Sequence, residues 1–160
     1  MTSKLIVRCM GVACLLGFAS SALADKTVLE ADLTACLQNG TKVGGVNSCG
    51  KIWKLSSGEA KLQADGTLKV EVKGLVLNDT SVGEFNGTPD GVTGVAAAVI
   101  CSGSAGESVA AQTDVAPLSK KGDAKISAKV ALPTGCVGPI VVLREQYEGK
   151  IGGWLAATGM

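Results

Sequence analysis

Two stretches of this chain alternate apolar and polar residues with a period of two, and this pattern constrains the fold more than any other feature. In Thr67–Lys73, Leu68, Val70 and Val72 fall on one face and polar side chains fall on the other. The second stretch has Ala124, Ile126, Ala128, Val130 and Leu132 on its apolar face. A period of two is that of a β-strand with one buried and one solvated face, as in an antiparallel sheet.

Further short apolar or alternating runs recur along the chain, separated by residues that favour turns. They are Lys51–Leu55, Glu59–Gln63, Val92–Cys101, Val109–Leu118, Pro139–Leu143 and Trp154–Thr158, and the stretch Thr67–Lys73 continues through Gly74–Leu77. Short strands at regular spacing with turn residues between them are typical of sandwiches. We therefore predict an all-β fold, an antiparallel two-sheet β-sandwich of immunoglobulin-like texture with about seven or eight strands and two disulfides.

Three turns are predicted between these strands. Asp65-Gly66 is a strong hairpin signal, with both residues expected at positive φ. Lys120–Asp123 is expected to form a second turn. The segment Tyr147–Gly153 is predicted to be a third turn, which would leave Trp154–Thr158 as the last strand.

The first 24 residues have the three parts of a secretory signal peptide. Lys4 and Arg8 give a positive start, Met10–Phe18 is apolar, and Ala22-Leu23-Ala24 supplies the small residues of a cleavage site. The apolar run is too short for a transmembrane segment. A lipoprotein signal at Cys14 fits poorly because Gly11 stands where a branched residue belongs. We predict cleavage at about Ala24.

Residues 25–160 then form one predicted domain, a β-sandwich that works in the extracellular space or the periplasm. Loss of Lys4 and Arg8 changes the formal net charge from +1 to −1, with 13 basic against 14 acidic residues. A nearly neutral chain without a basic run argues against a nucleic-acid partner. The partner stays unknown, with protein or glycan contact through loops as the expectation.

Four cysteines remain after cleavage, and an even number in an exported chain predicts disulfides. We favour Cys36–Cys49 and Cys101–Cys136, because neighbours in sequence close the shorter loops. A zinc site is the weaker alternative, since the sequence has no C-x-x-C pair and no histidine. The sequence also carries no recognisable cofactor motif.

The absence of histidine excludes imidazole-based catalysis and His-ligated metal sites. Carboxylates are the remaining candidates for acid–base chemistry. Asp79, Glu84 and Asp90 share the polar segment Asn78–Gly91 and are a conceivable set for a hydrolase acting on a sugar. The more ordinary interpretation is that they are solvated loop charges.

The same segment offers hard oxygen ligands for calcium. Asn78, Asp79, Glu84 and Asp90 are the weak candidates, with Asn86 beside them, but their spacing does not match an EF-hand. The segment also contains Asn-x-Thr sequons at Asn78 and Asn86, and a third lies at Asn39. The alternative is a polar loop that joins two strands.

Aromatic residues and arginine are scarce. Trp53 or Tyr147 would suit a sugar platform, Phe85 a partner contact, and Trp154 a place in the core. The sequence contains only two arginines, and Arg8 belongs to the predicted signal. The other, Arg144, is expected to be a charge at a strand end, with anchoring of a carboxylate as the alternative.

These features predict an exported non-catalytic protein, either a structural component or a binding module, which makes contacts through the loops Asn78–Gly91 and Cys36–Cys49. One alternative is a secreted enzyme inhibitor that presents the rigid Cys36–Cys49 loop. The other is the carboxylate-based hydrolase described above.

Overall fold

The computed structural model describes residues 26–37, 40–103 and 106–160. The predicted signal peptide, residues 1–24, lies outside this part of the chain. Within it, thirteen strands and one short 3-10 helix follow in the order β1 Thr27–Ala35, β2 Lys42–Val43, β3 Val46–Asn47, β4 Trp53–Lys54, β5 Ser57–Gln63, β6 Thr67–Lys73, β7 Val76–Leu77, η1 Thr80–Phe85, β8 Val92–Gly103, β9 Gly106–Gln112, β10 Ala116–Pro117, β11 Ala124–Lys129, β12 Val137–Tyr147 and β13 Lys150–Thr158.

Nine of the strands form one antiparallel sheet in the order β10-β8-β12-β13-β1-β5-β6-β11, with β9 also paired to β8. Two small two-stranded sheets, β2-β3 and β4-β7, lie outside it. The all-β class with two disulfides is thus confirmed. The strands curl into a half-barrel along one hydrogen-bonded path, whereas the sequence predicted two separate sheets.

Strand β1 explains this difference. Its first part, Thr27–Asp32, pairs with β5, and its last part, Leu33–Ala35, pairs with β13. One strand therefore belongs to both halves of the sheet and carries the hydrogen bonding around the bend, as strands at sheet corners do. No strand is predicted from the sequence for this stretch, so the connection between the two halves was not predicted either.

The core lies between the two halves of the curled sheet. Leu62, Leu68 and Val72 face inward from the half that contains β5 and β6, and each is fully buried. From the other half come the fully buried side chains Val95, Val99, Leu143 and Leu155. The alternation in Thr67–Lys73 is observed as predicted, because its three apolar side chains are buried.

Two predicted turns differ in detail from the structure. Asp65 and Gly66 do form the β5–β6 turn, but only Gly66 has a positive φ, and its N–H donates to the carbonyl oxygen of Gln63 at 2.9 Å. The turn after Tyr147 needs only Glu148 and Gly149, with φ of 49° and 75°. Strand β13 therefore starts at Lys150 and includes Gly153, which the sequence placed in the turn.

Candidate functional site

The segment Asn78–Gly91 is organised by its own hydrogen bonds. Asp79 precedes η1, and its Oδ1 accepts from the Ser81 N–H at 2.9 Å, while the Asp79 N–H donates to Asn86 Oδ1 at 3.0 Å. Lys51 Nζ lies 3.9 Å from Asp79 Oδ2. Hydrogen bonds from Ser81, with a smaller contribution from Lys51, lower the pKa of Asp79. This carboxyl is therefore not prepared to act as a general acid at neutral pH.

The other acids of this segment, Glu84 and Asp90, are exposed. Asp90 adopts a positive φ of 26° where the loop turns back into β8. Within the described residues, no group of three or more His, Cys, Asp or Glu side chains is arranged to hold a metal ion. Calcium binding and carboxylate-based hydrolysis at these residues stay predictions from the sequence.

Both disulfides join the cysteines that the sequence analysis paired. Cys36–Cys49 has a Cα separation of 6.2 Å, and Cys101–Cys136 has one of 5.0 Å. The first closes a segment that contains the β2–β3 hairpin, which turns at Gly44 and Gly45, both at positive φ. We call residues 42–47 the bridged hairpin.

The bridged hairpin packs flat on the sheet and does not project from it. Val43 and Val46 are buried. A Cβ at Gly44 would lie 2.6 Å from the Ile100 side chain of β8, and one at Gly153 of β13 would lie 2.7 Å from the Ser48 carbonyl oxygen. Glycine at these positions permits the close approach. The hairpin thus covers the outer face of β8 and β13.

Arg144 lies beside the bridged hairpin, in the middle of β12 and not at a strand end as predicted. Its Nε and Nη2 donate to the Gly152 carbonyl oxygen at 3.0 and 2.9 Å. Its Nη1 donates to Gln112 Oε1 at 2.7 Å. The cross-strand partner of Arg144 on β8 is Ala96, a small residue over which the side chain can extend toward β9.

An irregularity in the β12–β13 pairing leaves a backbone carbonyl group free to accept the hydrogen bonds of Arg144. Arg144 pairs with Trp154 and Gln146 with Ile151, so two residues of β13, Gly152 and Gly153, stand opposite Glu145 alone. Such a bulge leaves backbone groups outside the ladder. The Gly152 carbonyl accepts from Arg144, and the Gly153 N–H donates to Glu145 Oε1 at 3.3 Å.

The side chains of Arg144 and Glu145 lie on opposite faces of the sheet, and burial shifts their pKa values in opposite directions. Neighbouring strand residues point to opposite faces of a sheet, so these two side chains do not neutralise each other directly. Burial raises the pKa of Glu145, while the Gly153 hydrogen bond acts in the opposite direction. Burial lowers the pKa of Arg144. Among the described residues Arg144 has no carboxylate within ion-pair distance, yet a guanidinium stays charged.

Arg144 opens into a cleft of about 490 Å³ between the bridged hairpin and β13. The walls include the glycine pairs Gly44-Gly45 and Gly152-Gly153. The other lining residues are Val46, Asn47, Val109 and Ile151. In the described part of the chain, Arg144 is the charged residue of this lining.

A larger open cleft of about 570 Å³ runs along the outer face of β1, β5 and β6. It is lined by Asp32, Glu59, Glu71 and Lys73 among others. Glu71 forms ion pairs with Lys125 at 2.9 Å and Lys73 at 3.6 Å. These charges have the character of a solvated sheet face and not of a ligand site.

The aromatic residues are placed as follows. Trp154 is 1% exposed and lies in the core, as the sequence predicted. Trp53 is also buried, which removes it as a sugar platform. Phe85 and Tyr147 are each 47% exposed, and the ring of Tyr147 covers the backbone of Gly91. Neither exposed aromatic residue lines the Arg144 cleft.

Sequence reasoning singled out Arg144 but missed the residues that hold it. Gln112, Gly152 and the bridged hairpin come from three distant parts of the chain. The Gly44-Gly45 and Gly152-Gly153 pairs were the available signal, because glycine inside or between strands often marks a bulge or a close backbone approach.

No helical segment in the described part of the chain has the length and apolar character needed to cross a bilayer. In comparisons with known proteins, no family model, curated protein or solved structure matches this chain.

Proposed function

We propose that this chain is an exported, non-catalytic binding protein whose Arg144 cleft holds an anionic group of its ligand. One observation carries the proposal. A guanidinium is fixed by Gly152 and Gln112 beside an open cleft, and among the described residues no acid neutralises it. A preorganised, uncompensated arginine is the residue best suited to bind carboxylates and similar anions.

Export is supported by the two disulfides, which indicate an oxidising compartment outside the cytoplasm. The signal-like composition of residues 1–24 favours the same route, with cleavage at about Ala24. We propose that the two halves of the curled sheet, on either side of the β1 bend, pack face to face like the two sheets of a sandwich.

The packing of the bridged hairpin favours a binding cleft over an inhibitor loop. An inhibitor must offer its loop to the partner, whereas Val43 and Val46 are buried and Gly44 contacts Ile100. The hairpin instead forms one wall of the cleft. A binding module also needs no general acid, in keeping with a chain that has no histidine.

The proposal is tested by titrating the protein, expressed from the full-length chain and purified after export, with sodium acetate and sodium sulfate at constant ionic strength. Backbone amide shifts of Gly45 and Gly152 are followed by NMR. We expect saturable binding with Kd in the millimolar range or tighter, and at least a tenfold loss in Arg144→Gln, because the charged fork is removed.

Arg144→Lys keeps the positive charge but loses the paired N–H donors of the guanidinium, so this variant should also bind weakly. Gln112→Leu leaves Arg144 in place but removes one of its supports, and should weaken binding by a smaller factor. Lys150→Gln is the matched control, since it removes an exposed charge near the cleft that does not line it. Binding that is equal in wild type and Arg144→Gln, or no saturable binding at all, would overturn the proposal.

A further inference from the structure

We infer that the Arg144 cleft selects a carboxylate attached to a small apolar group, the chemistry shared by the C-terminal residue of a polypeptide and by a free short aliphatic acid. This inference rests on the proposed function and narrows its ligand. It follows from the charge of the cleft, the free donors of Arg144 and the character of the walls.

The charge of the cleft favours a monoanion. Arg144 contributes one positive charge, and among the described lining residues no second cation accompanies it. Sites for phosphate or sulfate dianions usually combine several cations or several converging backbone N–H groups. A single guanidinium matches the single charge of a carboxylate.

The unused donors of Arg144 also suit a carboxylate. A guanidinium has five N–H groups, and three are engaged, by Gly152 and Gln112. One N–H on Nη1 and one on Nη2 have no hydrogen-bond partner among the described residues. Two donors on a planar group can bind the two oxygens of a carboxylate, a geometry that adds specificity to the charge attraction.

The walls favour an apolar substituent next to that carboxylate. Val109 and Ile151 line the same cleft; Val109 is 37% exposed and Ile151 is half-buried, so their side chains are accessible to a ligand. The glycines beside Arg144 carry no side chains that would fill the space. An aliphatic group bound there would lose contact with water against these side chains, which strengthens binding roughly in proportion to the apolar area covered.

The experiment compares acetate, isovalerate, sulfate and inorganic phosphate, with amide shifts of the same residues as the readout. We expect isovalerate to bind about tenfold more tightly than acetate, which corresponds to the burial of roughly half of its isopropyl group in this open cleft. Sulfate and phosphate should bind no more tightly than acetate. Tighter binding of sulfate or phosphate than isovalerate would overturn this inference while leaving the anion site intact.

Two further probes distinguish the source of the carboxylate. An N-acetylated tripeptide that ends in valine should bind as its free acid and lose binding as its C-terminal amide. If the free acid binds more tightly than isovalerate, the natural ligand is a polypeptide C-terminus; if it binds more weakly, the ligand is a free acid. An amide that binds as tightly as the acid contradicts the inference.

Val109→Ser provides a test within the protein, because it replaces an apolar wall by a polar one. Isovalerate affinity should fall about fivefold, while acetate, which has much less apolar surface, should lose less than about twofold. Val115→Ser is the matched control, since Val115 is also 37% exposed but does not line the cleft. Equal loss for both ligands, or for both variants, would contradict the inference. If no probe shifts the amides at all, the anion site itself is wrong.

Discussion

Asp65 shows how one side chain fixes a turn and connects it to a neighbouring strand. Its Oδ1 accepts from the Thr67 N–H at 2.9 Å, and its Oδ2 accepts from Thr67 Oγ1 at 3.1 Å. Lys129 Nζ of β11 donates to Oδ2 at 3.1 Å. The hydrogen bonds from Thr67, followed by Lys129, lower the pKa of Asp65 to about 2.

A depressed pKa in the folded state makes this carboxylate stabilising above its unfolded pKa, and the contribution is lost as pH falls through about 2. We therefore predict that wild type loses more thermal stability between pH 4 and pH 2 than Asp65→Asn does. Above pH 4 the variant should be the less stable protein. Thermal unfolding followed by circular dichroism across this range measures both effects.

Asp114→Asn serves as the control for the loss of one negative charge. Asp114 is exposed, and no hydrogen bond or ion pair of its side chain is found among the described residues. It should follow the wild-type pH dependence. Parallel curves for wild type and Asp65→Asn from pH 4 to pH 2 would refute the role given to Asp65.

At the residue scale, the sequence predicted what local chemistry determines. Cysteine spacing gave the pairs Cys36–Cys49 and Cys101–Cys136, and Asp65-Gly66 gave the position of a turn. The contacts of Arg144 could not be predicted from the sequence, because Gln112 and Gly152 approach it only through the pairing of β8, β9, β12 and β13. Long-range pairing sets those contacts, and no local pattern reports it.

Three carboxylates lie in one row across neighbouring strands of the outer face. Asp32 of β1 stands opposite Glu59 of β5, and Glu59 stands opposite Glu71 of β6. Glu71 also stands opposite Lys125 and is paired with it. Like charges on directly opposite residues destabilise a sheet. Glu59 therefore opposes an acid on both sides.

Replacing Glu59 by lysine should stabilise the sheet, because two repulsive pairs become attractive ones. We expect the free energy of unfolding to rise by about 0.5 to 1 kcal/mol at low ionic strength. The gain should shrink in high salt, which screens exposed charges. Urea unfolding of wild type and variant, at low and high salt, measures it.

Glu84→Lys is the matched control, since it makes the same change of charge at an exposed position of η1 outside the sheet. A gain equal to that of Glu59→Lys would show that net charge alone accounts for the effect. No gain at Glu59 would mean that the row of carboxylates carries no repulsion.

At the element scale, strands with clear alternation were predicted well and irregular ones poorly. Thr67–Lys73 is β6 with the same bounds, and Ala124 begins β11. Val109–Leu118 was predicted as one strand, but Thr113 interrupts it. The Thr113 N–H donates to the Ala97 carbonyl oxygen, and Thr113 Oγ1 accepts from the Ala97 N–H. Side-chain bonding of this kind competes with the ladder and depends on the facing strand.

The whole molecule combines a curled sheet with a bridged hairpin laid on its outer face. Residues 95–100 of β8 are buried throughout, since one face meets the core and the other is covered. The hairpin wall, the β13 bulge and Arg144 together form the cleft. The fold class was predictable from periodicity, whereas the bend through β1 and the docking of the hairpin depend on packing between distant segments.

The most direct test of this account is the NMR signal of the Arg144 Nε–H group in the ligand-free protein. After loss of the predicted signal peptide, Arg144 is the single arginine of the chain, so the signal is identified by its absence in Arg144→Lys. The account predicts slow exchange with water and close proton contacts to Ile151 and Gly152, because Nε donates to the Gly152 carbonyl at 3.0 Å. A signal that exchanges as fast as that of free arginine, with no such contacts, would contradict it.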